Sequence, residues 1–353
     1  MKREAPKNIL IRSPNWVGDA LLTTPVVHCI KNNFPDSRIT VLAKPWVTPI
    51  FEASPDVNQV IVYQKPGIHQ GIGGQWRLAQ AFKASGFDCV VHFPHSFESA
   101  WISFLMRIPV RIGYATEGRG LLLSDGLRLT RARQREHQVP FFFHLLEPLG
   151  IREDPSAEKN PLVLKVDPQS LRQAETRLDT LGIRPSDFLV GLAPGAVYGS
   201  AKCWPFDRFE RLAERLIKEW TAKVVLLGTD IDTLSGTGIG STHNHNLLGK
   251  TALGEALALI QKCRLVVCND SGLMHAASAL NTPLVALFGP TNLHRTGPWG
   301  GISRVIKKEF PCSPCLKKVC PETQSCMEAI TVDEVWETVL SLKEQGVFEN
   351  KGV

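Results

Sequence analysis

Two series of short, continuously apolar runs, each run followed by a helical pattern, constrain the fold of this chain more than any other feature. In the first series the runs lie at residues 9–13, 38–43, 59–63, 88–93 and 110–113, with helical stretches such as 20–30, 76–85 and 97–106 between them. In the second they lie at 188–193, 223–228, 264–269 and 283–288, separated by helical stretches such as 206–219 and 253–261. Strands that are apolar throughout, instead of alternating, belong to parallel sheets covered on both faces. Strand–helix alternation is how such sheets are built. An amphipathic stretch at 136–149 closes the first series, and a polar segment with two prolines follows at 152–161. A chain of 353 residues exceeds one hydrophobic core. The reading is therefore α/β, with two Rossmann-like domains at residues 1–165 and 166–353 and a last helix at 332–342.

Ligands of open parallel sheets bind beyond the carboxyl ends of the strands, so the loops there are the candidate sites. The first strand runs into Ser13-Pro14-Asn15-Trp16-Val17-Gly18-Asp19. Taken alone, Asp19 reads more readily as a charge complementing the start of a helix than as a base. In the second half three strand-end loops stand out. Pro194-Gly195-Ala196-Val197-Tyr198-Gly199-Ser200-Ala201-Lys202-Cys203-Trp204 offers glycines for close backbone approach and a lysine suited to phosphate. Asn269-Asp270-Ser271-Gly272-Leu273-Met274-His275 precedes a helix expected from Ala276, so its free N–H groups suit a diphosphate. Asp270 would repel phosphate and is assigned to a sugar hydroxyl or a cap. His275 reads on its own as a core histidine. The third loop, Gly289-Pro290-Thr291-Asn292, offers the Thr291 hydroxyl. No strand is followed by G-x-G-x-x-G, and Gly236-Thr237-Gly238-Ile239-Gly240 matches only in composition.

Four of the nine cysteines, Cys312, Cys315, Cys320 and Cys326, fall in one short stretch. Their spacing suits a compact metal cage, yet free thiols and oxidation-formed disulfides stay open, and no catalytic role is assigned. The other five read as core residues. The net charge of +6 suits an anionic partner without selecting one. The chain has no apolar run long enough to span a bilayer and no signal-peptide pattern, so a cytoplasmic protein is expected.

In order and spacing, the Pro14-Asn15-Trp16-Val17-Gly18-Asp19 turn, the Lys202-Cys203-Trp204-Pro205 loop, the Asn269 to His275 segment and the 283–291 strand and loop resemble glycosyltransferase family 9, the ADP-heptose:lipopolysaccharide heptosyltransferases. The likeness runs over residues 9–330 and is strongest to the heptosyltransferase II branch. It implies a GT-B fold, with two parallel sheets facing across a central cleft, acceptor on the first domain and nucleotide sugar on the second. The last helix of such folds often packs back on the first domain. It further implies an inverting transfer of heptose from ADP-heptose to a heptose of the lipid A-linked inner core, at the cytoplasmic face of the inner membrane.

Carried onto this chain, the resemblance makes Asp19 the general base, with Ser13, Asn15, Trp16 and Gly18 on the acceptor side. Lys202 then steadies the departing diphosphate and Asp270 contacts the sugar. Gly195, Ser271, Gly272, Leu273, Met274, His275 and Thr291 complete the donor side. Relatives often carry Arg beside the lysine, where this chain has Cys203. Helix-end N–H groups and Lys202 can offset the diphosphate charge without a metal, so no cofactor is required and assistance by Mg²⁺ is left open. The basic run at 128–135 is a candidate for transient contact with the inner-membrane surface, against the plainer reading of a solvated face. No nucleic acid is expected. Heptosyltransferases I and III, a nucleotide-sugar epimerase of similar fold and a non-enzymatic polyanion-binding module are the alternatives.

Overall fold

The structure is a computed structural model that describes residues 4–229, 244–322 and 325–349. The glycine-rich segment Gly236-Thr237-Gly238-Ile239-Gly240 lies outside the described residues. The chain divides into two compact units, Met1–Lys165 and Val166–Val353.

In the first unit the strands are β1 (Asn8–Arg12), β2 (Arg38–Ala43), β3 (Gln59–Val62), β4 (Cys89–His92), β5 (Val110–Tyr114) and β6 (Asp125–Leu127). Its helices are α1 (Val17–Leu22), α2 (Thr24–Asn33), α3 (Thr48–Glu52), α4 (Gly71–Phe82), α5 (Phe97–Leu105) and α6 (Gln138–Phe143). All six strands are parallel, in the order β3-β2-β1-β4-β5-β6. The order reverses between β1 and β4, and a ligand crevice opens at such a switch point. β4 is buried at every position and β1 at all but its first, which only cover on both faces achieves.

The second unit repeats the plan. Its strands are β7 (Leu189–Ala193), β8 (Lys223–Leu226), β9 (Asn244–Asn246), β10 (Leu265–Asn269), β11 (Leu284–Phe288) and β12 (Ser303–Lys307). Its helices are α7 (Pro168–Thr180), α8 (Phe206–Trp220), α9 (Leu253–Lys262), α10 (Gly272–Ala279), α11 (Leu293–Thr296) and α12 (Val332–Glu344). The parallel order β12-β11-β10-β7-β8-β9 places this switch point between β7 and β10.

Two expectations change. The single helix expected over 20–30 is two: Thr23 breaks it, its hydroxyl bonding the Ala20 carbonyl while Pro25 starts the next helix. α10 begins at Gly272, four residues before the expected Ala276, so Ser271 is its N-cap. In the last helix, α12, Val335, Trp336, Val339 and Leu342 belong to the core that β7, α8, β10 and β11 build within the same unit. Its start is fixed by a capping box between Thr331 and Glu334.

Candidate active site

In the first unit the turn after β1 is shaped from below by a buried cation. Arg12, at the end of that strand, is 4% exposed. Its guanidinium donates to the Ser13 carbonyl (2.5 Å), the Leu42 carbonyl (3.3 Å) and Asn15 Oδ1 (3.1 Å). Burial pushes its pKa down to about 10, so it stays charged at neutral pH. The Trp46 indole N–H donates to the Asn15 carbonyl at 2.7 Å, and Trp46 and Trp16 are both largely exposed. Two flat apolar faces thus border the turn. Ser13 is fully buried, its hydroxyl on the Pro14 carbonyl, which makes it a support for the turn. Gly18 and Asp19 are the second and third residues of α1, half-buried, so the Asp19 carboxylate sits in the first turn of a helix that starts at the switch point.

Beside Arg12 lies a network that sequence reasoning did not single out. The Arg12 guanidinium is 5.0 Å from the centre of the Tyr63 ring, and the Lys44 ammonium 4.7 Å from it. The Tyr63 hydroxyl donates to Glu98 (2.7 Å), which also receives Lys65 and, at 2.9 Å, Gln75. Burial alone would raise the Glu98 pKa; the bonds from Lys65 and Tyr63 outweigh it and hold the carboxyl below its ordinary range. Lys44 donates to the Lys65 carbonyl and is pushed down to about 8, first by burial and then by the Arg12 charge, with Glu98 opposing. Because its folded pKa lies below the ordinary 10.5, the unfolded chain holds the extra proton between about pH 8 and 10.5, and stability rises with pH across that window. Denaturant titrations should show wild type gaining on the order of 2–3 kcal/mol relative to Lys44→Met from the bottom to the top of that window. Parallel curves would deny Lys44 this environment.

In the second unit the loops after β7, β10 and β11 meet. Asn269, fully buried at the end of β10, ties the first of them down: its side chain donates to the Pro194 carbonyl (2.6 Å) and accepts from the Trp204 N–H (3.0 Å). Trp204 is itself buried, with its indole N–H on the Ile330 carbonyl. So held, Lys202 reaches Asp270 Oδ2 at 2.7 Å, the two side chains being 14% and 5% exposed. The same oxygen accepts the Thr291 hydroxyl at 2.6 Å. Asp270 is therefore neither a cap of α10 nor turned away from the lysine; it is the counter-ion of the cation expected to meet phosphate. The Thr291 hydroxyl bonds Asp270 directly.

Ser271 Oγ is buried with no hydrogen-bond partner and makes no capping bond to α10, whose first N–H groups it precedes. Gly272 and Leu273 stand half-buried in that first turn, while Met274 and His275 are buried. A helix N-terminus with an unused hydroxyl, beside a lysine, fits an anion. Gly195 lies half-buried at the mouth of its loop. Gly199 serves the chain itself: a Cβ there would meet the Lys318 carbonyl oxygen at 2.3 Å.

A family model, "Glycosyltransferase family 9 (heptosyltransferase)", matches residues 75–325. The chain belongs to glycosyltransferase family 9. The lipooligosaccharide heptosyltransferase 2 of Haemophilus influenzae is 35% identical over 318 residues, with 85% of this chain and 88% of that protein covered. The lipopolysaccharide heptosyltransferase 2 of Escherichia coli K12 is 32% identical over 306 residues, covering 85% and 87%. Among solved structures, E. coli ADP-heptose lps heptosyltransferase II superposes with a TM-score of 0.81 at 30% identity, over 96% of this chain and 99% of that one. A family 9 glycosyl transferase of Veillonella parvula shares the fold at TM-score 0.87 and 24% identity, covering 98% and 99%. This chain is a glycosyltransferase, and its two parallel six-stranded sheets are the pair that the motifs implied.

The cysteine-rich segment of this family 9 chain is a buttress for the donor-side loops. Ser313 donates to the Gly289 carbonyl (2.8 Å), the Leu316 N–H to Pro290 (2.9 Å), Tyr198 Oη to Leu316 (2.7 Å) and the Ala201 N–H to Lys318 (3.0 Å). A Cβ on Gly289 would lie 2.6 Å from Met327 Sδ and 2.8 Å from Cys326 Sγ, so these buried side chains would have to shift to admit one. Among the described residues no three His, Cys, Asp or Glu side chains are placed to hold an ion, and all four cysteines are free. Cys326 is buried, Cys315 and Cys320 are half-buried and Cys312 is exposed. Burial, and then the charges of Cys320, Cys312 and Cys315, raise the Cys326 pKa.

Proposed function

We propose that this glycosyltransferase moves heptose from ADP-heptose to a heptose of the lipid A-linked lipopolysaccharide inner core, with inversion. The observation that carries it is the Lys202–Asp270 pair set beside the open N-terminus of α10 and the unused Ser271 hydroxyl. The relatives named as heptosyltransferases supply the sugar and acceptor class. Asp19 removes the proton of the acceptor hydroxyl as its oxygen forms the new bond to the anomeric carbon. The bond from that carbon to the diphosphate breaks, and its electron pair leaves with ADP. Charge growing on the diphosphate is offset by Lys202 and the N–H groups of Ser271, Gly272 and Leu273, which cost no reorganisation as the bond breaks. Ser13, Asn15, Trp16 and Gly18 shape the acceptor side. Cys203 is half-buried where relatives often carry Arg, which leaves Lys202 as the cation of this loop.

The reaction takes place at the cytoplasmic face of the inner membrane, without nucleic acid. Incubation with ADP-heptose and defined truncated lipopolysaccharides, read by product mass, should show one added heptose on the acceptor that already carries the first. Addition to a heptose-free core, or to a complete one, would move the chain to the heptosyltransferase I or III branch. Conversion of ADP-heptose without acceptor would favour an epimerase. No step needs a metal, and Mg²⁺ acts at most by screening the diphosphate; chelation by EDTA should leave kcat within about fivefold, whereas an obligatory Lewis acid is worth several kcal/mol.

A further inference from the structure

The first unit carries an apolar, basic-rimmed face that the transfer chemistry does not use. α4 and α5 lie side by side and in step: Gln75 bonds Glu98 near their starts, and Gln80 and Lys83 share a groove with Phe104 and Leu105 near their ends. On the outside of this pair Ile72 is 76% exposed, Ile68 61%, Trp76 53%, Phe97 47% and Phe104 44%. Phe97, Trp101 and Phe104 form a ladder along one side of α5, with ring centres 6.5 and 6.2 Å apart. Side chains of this size are not left in water without a partner in such a group.

The charges around them have one sign. Residues 64–87 hold Lys65, Arg77 and Lys83 and no acid; residues 97–111 hold Arg107, Arg111 and a single acid, Glu98, which is bonded inward to Tyr63, Lys65 and Gln75. Arg77, Lys83 and Arg107 are exposed, and the Arg111 guanidinium lies 5.7 Å from the centre of the Phe104 ring. Tryptophan and phenylalanine flanked by Lys and Arg match a bilayer interface, where rings enter the headgroup–acyl boundary and cations meet anionic headgroups. By contrast, the basic run at 128–135 has exposed Arg128, Arg131 and Arg135 but no exposed large apolar side chain, and its Arg133 is paired with Glu147.

We propose that the α4–α5 face, with Ile72, Trp76, Phe97 and Phe104 inserted and Arg77, Lys83 and Arg107 around them, is the surface by which this protein lies on an anionic lipid bilayer. Its placement suits a lipid-linked acceptor. Gln75 and Glu98 connect the face to Tyr63, and Tyr63 adjoins Arg12, which holds Asn15 in the turn leading to Asp19. A head group anchored in lipid is thereby presented next to that turn. The inference deepens the proposed function and rests on it only for the acceptor's identity; its test uses no turnover, so the two fail separately.

The test is co-sedimentation of the full chain with phosphatidylethanolamine/phosphatidylglycerol vesicles and with phosphatidylcholine vesicles. Wild type should bind the anionic vesicles and lose that binding on phosphatidylcholine or in high salt. The variant Ile72→Ser/Trp76→Ser/Phe97→Ser should bind about tenfold or more weakly, and Arg77→Gln/Lys83→Gln/Arg107→Gln should fall by about tenfold or more. Arg128→Ser/Arg131→Ser/Arg135→Ser should stay within about twofold. All of these residues are exposed, so an unchanged Tm accompanies each variant and separates lost binding from lost fold. Anionic vesicles that fail to bind wild type overturn the proposal, as does equal binding by the apolar variant. A dimer in sedimentation that this variant dissolves, with vesicle binding intact, overturns it in favour of a protein interface.

Discussion

Asp19→Asn should lower kcat by about two to four orders of magnitude, the usual worth of a positioned general base, while ADP affinity stays within about twofold. Asparagine keeps the size and polarity of the side chain but cannot accept the acceptor's proton. The variant should also fold. Asp19 is the third residue of α1, and losing a carboxylate from a first helical turn costs about 0.3–1 kcal/mol, too little to explain such a fall in rate. Asp19→Glu keeps a base at a shifted position and should retain more activity than the asparagine form. Steady-state rates at saturating donor and acceptor, with ADP titrated by calorimetry, check this. A fall of less than about tenfold would leave Asp19 as a helix-start charge only, its plainer reading from the sequence.

That plainer reading could not be settled from residues 9–22 alone, because a helix-start carboxylate and a base look the same in one dimension. What changes its standing is topology. The apolar runs forecast the central strands well, since β1, β2, β4, β7, β10 and β11 are buried almost throughout and can only be apolar. The edge strands β6, β9 and β12, with sequences DGL, NHN and SRVIK, went unforeseen, because an edge needs neither length nor apolar faces. With the sheets complete, the two switch points fall at the ends of β1/β4 and β7/β10, and three of the marked loops, after β1, β7 and β10, lie at them. The supports of the site were not legible. Asn269 holds Pro194 and Trp204, Arg119 holds the loop after β4 through Pro94 and the start of α5 through Ser99, and Leu316 and Lys318 hold Tyr198 and Ala201. Such bonds join residues far apart in the chain and leave no periodic trace in it. The same holds for Asp270, whose sign argued against phosphate until its partner Lys202 was seen.

That partnership gives the second large effect, with opposite signs at its two ends. Lys202→Met should cut kcat by about 10²–10³, the scale of removing one preorganised stabiliser of developing charge, and should weaken ADP binding. Asp270→Asn should instead leave ADP binding equal or tighter, because the carboxylate that competes with the diphosphate for Lys202 is gone, while kcat falls as the ammonium loses the acceptor that fixes it. ADP is the right probe, since it carries no heptose hydroxyls for Asp270 to contact. Stability should follow the same pair. Breaking a buried ion pair by removing one partner costs about 3–5 kcal/mol. Lys202→Met leaves the Asp270 carboxylate, 5% exposed, with its Oδ2 held by the Thr291 hydroxyl and no longer by the ammonium. Adding Asp270→Asn to Lys202→Met removes that stranded charge, so the double variant should be more stable than Lys202→Met alone, by at least about 1 kcal/mol for groups in direct contact. Additive losses in denaturant titrations, or weaker ADP binding in both single variants, would mean that Asp270 is not the resting counter-ion of the donor-site lysine.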